Sequence, residues 1–189
     1  MNNTELELLK IIADMDGTPD GAFNIRANGG LAERHVTENV DIRTKEDKSG
    51  IDIIIKAGTK GEKIHIPVII SETGLKELVY NDFYIGDDAD VEIVAGCGIH
   101  NCGSEESRHD GIHTFFVGKN AKVKYTEKHF GDGDGEGGRN MNPTTVINIA
   151  DKVIVVSAGK IKNQGKKDEV LADLLGSTDM GCRVLIEKG

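Results

Sequence analysis

At 189 residues the chain has the length of one domain and, with 38% hydrophobic residues, can bury a core. That core must be mostly aliphatic, since aromatics are 4% and tryptophan is absent. A net charge of −9 without basic clusters or stacking platforms argues against nucleic acid, because phosphate neutralisation supplies most of that affinity.

No apolar run approaches the roughly 20 residues that a membrane helix requires. The N-terminal MNNTELELLKIIADMDG has no basic region ahead of an apolar core and does not read as a signal peptide. Together with an odd number of cysteines, this gives the expectation of a cytoplasmic protein with free thiols. Glycine is frequent (24) and proline rare (3), which favours turns needing positive φ over proline-rich linkers.

Thr4 and Glu7 have the spacing of a capping box, and Leu8, Ile11, Ile12 and Met15 follow at helical spacing. The spacing predicts a short helix with one apolar stripe, stopped by Asp16-Gly17-Thr18-Pro19-Asp20-Gly21. Residues 22–50 are polar; Ala27-Asn28-Gly29-Gly30 reads as a turn and Val40-Asp41-Ile42 alternates like a strand. Ile51-Asp52-Ile53-Ile54-Ile55 and Ile64-His65-Ile66-Pro67-Val68-Ile69-Ile70 are short β-branched runs and predict strands. Pro67 cannot donate to a ladder and is expected at a bulge, an edge or a strand end.

A repeat follows. Gly86, Ala89 and Val91 align with Gly118, Ala121 and Val123 at an offset of 32 residues, and a weaker third copy runs from Val146 to Val156. In each, a strand reaches a tight turn and a small residue, then a second strand resumes. Short strands recurring evenly without intervening helices are what stacked β-coils produce. A β-sandwich would instead require hairpins, and no Asn-Gly or Asp-Gly two-residue turn is expected between alternating strands.

The fold expected is therefore mostly β, a parallel β-helix (β-solenoid) with a short N-terminal helix. In the tail, Val170, Leu171, Leu174 and Leu175 lie at helical spacing before Gly176, predicting a C-terminal helical cap, and Val184-Leu185-Ile186 suits a last strand. This gives one domain over 1–189: helix and turn to residue 20, β-helix core over 21–160, helix and tail over 161–189.

Between the first two copies lies Cys97 to His113, CGIHNCGSEESRHDGIH. Cys97, His100 and Cys102 read C-x2-H-x-C, and His109 and His113 stand four apart. Thiolates with imidazoles suit zinc, copper or iron, but no finished zinc pattern is present and a cluster takes four thiolates as a rule. A surface loop with hydrogen-bonding histidines and small buried thiols is the alternative. Cys102, His109 and Asp110 also hold the groups of a thiol–imidazole–carboxylate relay, which only geometry can establish. Asp132-Gly133-Asp134-Gly135-Glu136-Gly137 begins like a calcium loop, yet its twelfth position is Pro143 where a bidentate Glu is required. No phosphate-binding loop, G-x-S-x-G or H-E-x-x-H occurs, so neither a bound nucleotide nor an independent enzyme is expected.

The runs 63–70 (KIHIPVII), 79–86 (VYNDFYIG), 94–101 (VAGCGIHN), 109–115 (HDGIHTF) and 123–129 (VKYTEKH) resemble the SufB/SufD family of iron–sulfur cluster assembly proteins. The similarity covers most of residues 20–150. It implies a right-handed parallel β-helix, a role in cluster assembly, partnership with a separate SufC-like ABC-type ATPase, and self-association or pairing with a SufB/SufD paralogue. Residues 151–189 match the family poorly, as expected of a shortened member. The cluster ligands of better-studied members lie beyond this portion and carry onto no position here. The ligands expected for an iron–sulfur cluster or iron are Cys97 and Cys102, with His100, His109 and His113 as imidazoles. The alternatives are a truncated structural paralogue that oligomerises through β-edges, or a small zinc-binding protein.

Overall fold

A computed structural model describes residues 1–149, 152–157, 160–166 and 184–185. One helix, α1 (Asn3–Ala13), precedes the strands β1 (Phe23–Ala27), β2 (Gly30–His35), β3 (Val40–Thr44), β4 (Gly50–Ile55), β5 (Lys60–Ile70), β6 (Lys76–Ile85), β7 (Asp90–His100), β8 (Ser107–Val117), β9 (Lys122–Asp132), β10 (Arg139–Ile149), β11 (Lys152–Ser157), β12 (Lys160–Lys166) and β13 (Val184–Leu185). Strands β5, β7 and β9 stack in parallel in one sheet, while β4, β6, β8 and β10 stack in parallel in the other. The chain alternates between the sheets, so it is a β-solenoid of about three coils. No described helix is long and apolar enough to cross a membrane.

The 32-residue offset is the register of the coils. Val91 pairs with Val123 and Ile85 with Val117, and β8 meets β10 at the same offset from Ser107–Arg139 to Val117–Ile149. The tight turns between the sheets stack as well. Gly58, Asp88 and Asn120 occupy one left-handed position in successive coils (φ 73°, 58° and 54°), which Gly, Asp and Asn tolerate best. A Cβ on Gly118 would collide with the Asp87 turn below it, so close stacking requires glycine there.

Within each strand alternate side chains point between the sheets, and there the aliphatic core forms. Ile53, Ile64, Phe83 and Ile93 are fully buried, and the Phe83 and Phe115 rings stack at 4.3 Å and 4°. Each such side chain contributes about 1.5–3 kcal/mol by leaving water. Helix α1 lies on the outer face of the sheet of β5, β7 and β9, burying Leu8, Leu9, Ile12 and Ala13 against Phe23, Ile25, Ile69 and Val94.

Several expectations change. The helix starts two residues earlier than Thr4 implies: Asn2 is the N-cap, in a reciprocal capping box with Glu5 (3.0 and 2.9 Å). Glu5 wins because its second oxygen also accepts from Ser71 (2.9 Å) and Asn28 (3.3 Å), partners that exist only in the folded chain. Ile11 is 45% exposed, and Leu9 and Ala13 take its place in the apolar face.

A two-residue Asn-Gly hairpin does occur, at Asn28-Gly29 between β1 and β2, with both φ values positive. Pro67 sits in an interior strand. The β1–β5 ladder pairs at Phe23–His65 and resumes at Arg26–Val68, lapsing beside Pro67 next to a bulge in β1.

The third copy holds as far as Ile149. Beyond it, β11 pairs antiparallel with β12 rather than continuing the coil. Val184 and Leu185 form the last strand, parallel to β10. The expected helix over 167–175 lies outside the described residues, and so does Cys182.

Candidate functional site

The corner between β7 and β8 is fixed before any reactive side chain is considered. Asn101, between His100 and Cys102, has no exposed surface. Its Oδ1 accepts from Gly103 N–H (3.0 Å) and Thr73 Oγ1 (3.0 Å), and its Nδ2 donates to the carbonyls of Glu105 (2.8 Å) and Gly138 (3.2 Å). Arg139 spans the next coil's corner, donating to the carbonyls of Asn101 (2.6 Å), Gly133 (2.5 Å) and Gly135 (3.2 Å). Gly133 has φ 102° and backs onto the Asn101 carbonyl, leaving no room for a Cβ. The acidic 132–137 segment is thus a turn held by an arginine.

On this frame His100 and Asp132 are register partners in β7 and β9. His100 Nδ1 lies 2.8 Å from Asp132 Oδ1, and His100 Nε2 lies 3.0 Å from the Sγ of exposed Cys102. A carboxylate only accepts, so Nδ1 carries the proton and Nε2 turns its lone pair to sulfur. Asp134 adjoins the same thiol. A hydrogen bond from Cys102, its own backbone N–H and the nearby positive groups hold its carboxyl below the ordinary range.

The second group of candidates is inside the solenoid. His109, Gly111, His113 and Phe115 alternate along β8 and face inward, leaving both imidazoles about 5% exposed or less. Glycine between them is necessary: a Cβ at Gly111 would lie 2.9 Å from His113 Nε2 and 3.2 Å from His109 Nε2.

His109 Nδ1 meets Glu77 Oε1 at 3.0 Å, and Glu77 Oε2 accepts from Arg26 Nε at 2.8 Å. Burial alone would raise the Glu77 carboxyl, but the His109 and Arg26 hydrogen bonds outweigh it and hold it low. His113 Nε2 lies 3.6 Å from Glu127 Oε1, which is also 3.4 Å from His129 Nε2. Burial pushes the His113 imidazole below its ordinary value against the attraction of Glu127. Cys97 is also inside, packed with Val68, Ile70 and Ile99; burial, then Glu77 and Glu127, push its thiol up.

The five expected ligands are therefore divided. Cys102 and His100 share the exposed corner; Cys97, His109 and His113 face the interior. Among the described residues no group of three or more His, Cys, Asp or Glu side chains is arranged to hold a metal ion. The relay considered for Cys102, His109 and Asp110 is not formed. His109 is turned inward onto Glu77, while Asp110 accepts from Arg108 (2.8 Å) and Asn142 (2.7 Å).

A different relay takes its place, through His100 and Asp132. Glu77 and His129 were not among the residues singled out in the sequence, and Asp132 stood there only at the head of a calcium-like loop, although the offset of 32 pairs each with a candidate: His100 with Asp132, Glu77 with His109, Cys97 with His129. No family model, curated protein or solved structure matches the chain.

Proposed function

We propose that the chain is a SufB/SufD-like β-solenoid that assists iron–sulfur cluster assembly by binding a partner, with iron or an iron–sulfur species as cargo and a SufC-like ABC-type ATPase as the partner. The supporting observation is the placement of the resembling runs. Residues 63–70, 79–86, 94–101, 109–115 and 123–129 fall on β5, β6, β7, β8 and β9, the strands that build successive coils. The resemblance implies such a solenoid for those runs in that order. The buried imidazoles His109 and His113, with the partly buried carboxylates Glu77 and Glu127 beside them, are the costly features of such a core and suit a protein that handles cations.

Two measurements test the reading. The chain, co-expressed with its host's SufC-like ATPase, is expected to co-purify with it at fixed stoichiometry. After anaerobic incubation with ferrous iron and sulfide, it is expected to retain both through gel filtration with visible charge-transfer absorption. A chain that binds neither the ATPase nor iron overturns the proposal, and stoichiometric zinc in protein purified without added metal favours a zinc-binding role instead.

A further inference from the structure

Inside the solenoid His109 is held by Glu77, whereas the exposed corner presents an assembled reactive group. We propose that Cys102 is a nucleophilic thiol site for cationic disulfides, with His100 as its proton acceptor and Asp132 as the residue that positions His100. The proposal stands apart from the cluster-assembly reading and survives if that reading fails.

The geometry has the required order. Sulfur, imidazole and carboxylate are linked at 3.0 Å and 2.8 Å, with the imidazole tautomer set by Asp132. Cys102 is exposed, whereas Cys97 is sealed between the sheets. The corner is preorganised, since Asn101 beside the thiol is fully buried and bonded on both ends of its amide, and Arg139 clamps the neighbouring turn. Ordering this relay during a reaction therefore costs little.

The surroundings select the chemistry. Acyl transfer needs several free donors for an oxyanion, and one N–H beside the thiol, that of Gly103, is taken by Asn101 Oδ1. Disulfide exchange needs only a thiolate and an open approach to it. Asp134 adjoins the thiol, Asp132 lies behind His100, Glu136 is exposed on the same turn, and Arg139 is directed at backbone carbonyls. A positively charged disulfide is attracted there and an anionic one repelled.

In the exchange, His100 Nε2 takes the thiol proton and the Cys102 thiolate attacks one sulfur of the disulfide. An S–S bond forms between Cys102 and that sulfur, the original S–S bond breaks, and the departing thiolate takes its proton from His100. Cys102 is oxidised and the departing half reduced. Cys97, sealed between the sheets, does not reach the product, and an external thiol reduces the mixed disulfide.

The test treats the full chain with cystamine or with dithiodipropionate, a cationic and an anionic disulfide, and follows each cysteine by peptide mass spectrometry. At low ionic strength Cys102 is expected to react about tenfold faster with cystamine, a preference that shrinks with added salt. His100→Gln is expected to slow the reaction about tenfold. Asp132→Asn should slow it too, with partial recovery in Asp132→Glu. Asp134→Asn should weaken the charge preference. Cys97 remaining unmodified shows that each variant is folded.

Equal rates for the parent and folded His100→Gln overturn the proposal. Should the variants unfold, comparison of parental Cys102 with the short peptide around it decides: equal reactivity overturns the relay, and faster reaction in the protein supports it. A metal ion found blocking Cys102 in the purified chain also overturns it.

Discussion

His109 and His113 are four residues apart, a spacing that on a helix would put them on one exposed face as a ligand pair. On β8 the same interval equals two full alternations, so both turn inward with Gly111 between them. Burial then decides the behaviour of His113. His113 is neutral in the fold because desolvation lowers its pKa below an unfolded value of about 6.5, even with Glu127 attracting the proton. The unfolded chain therefore binds this proton first as pH falls. Stability from His113 is complete above about 6.5 and is lost as pH drops through the window below it. Urea titrations at about pH 7 and about pH 5 are expected to show a smaller acid loss in His113→Leu than in the parent; an unchanged loss would refute the assignment. Glu77 and Glu127 are held low, so their contribution is lost only below about 4.3 and is separable from that of His113.

Among the elements, α1 shows most clearly how a local pattern yields to a tertiary surface. Its outer-face docking requires close approach to β7, and the sequence supplies Gly96 and Gly98 there. A Cβ at Gly96 would lie 2.6 Å from the Ile12 carbonyl and 2.8 Å from that of Lys128, both rigid backbone. At Gly98 the nearest atom is the Leu8 side chain at 3.1 Å, which can move. Gly96→Ala is thus expected to cost about 1–3 kcal/mol and Gly98→Ala distinctly less, read from urea midpoints. Hydrogen exchange should localise the Gly96→Ala damage to α1 and leave β8 and β10 protected. The salt bridge of Lys128 with Asp14 at the end of α1 is exposed and contributes little to that docking.

For the molecule as a whole, the solenoid turns one repeat into two environments. Phe83 and Phe115 stack between the sheets with Tyr125 against them, while Tyr84 and Phe116 stack one residue later on the outer face, 41% and 40% exposed. Equal chemistry thus has unequal weight. Phe83→Ala is expected to destabilise global unfolding by about 3–5 kcal/mol through the cavity left in a continuous core. Phe116→Ala should cost well under that, since its ring is already 40% exposed and its removal opens no cavity in the core. Comparable losses from the two would contradict the inward assignment of Phe83.

The strands from Ile51 onward, the tight turns and the 32-residue coil were legible in the sequence, because β-branched runs, left-handed turn residues and alternating burial are local demands that repeat with the coil. The capping residue of α1 and the position of Pro67 were not, since each depends on a partner more distant in the chain. Ala27-Asn28-Gly29-Gly30 was legible as a turn but not as a hairpin, because β2 after it is almost wholly exposed and shows no apolar alternation. The same division holds at the candidate site. The sequence by itself placed cysteines, histidines and carboxylates in one stretch between two copies of the repeat, which the structure builds into β7, β8 and the corner joining them. Only the tertiary structure decided that Cys97, His109 and His113 face the core and that Cys102 and His100 face water. It also brought Asp132 to His100, because stacking puts residues 32 apart side by side while strand alternation sends near neighbours to opposite faces.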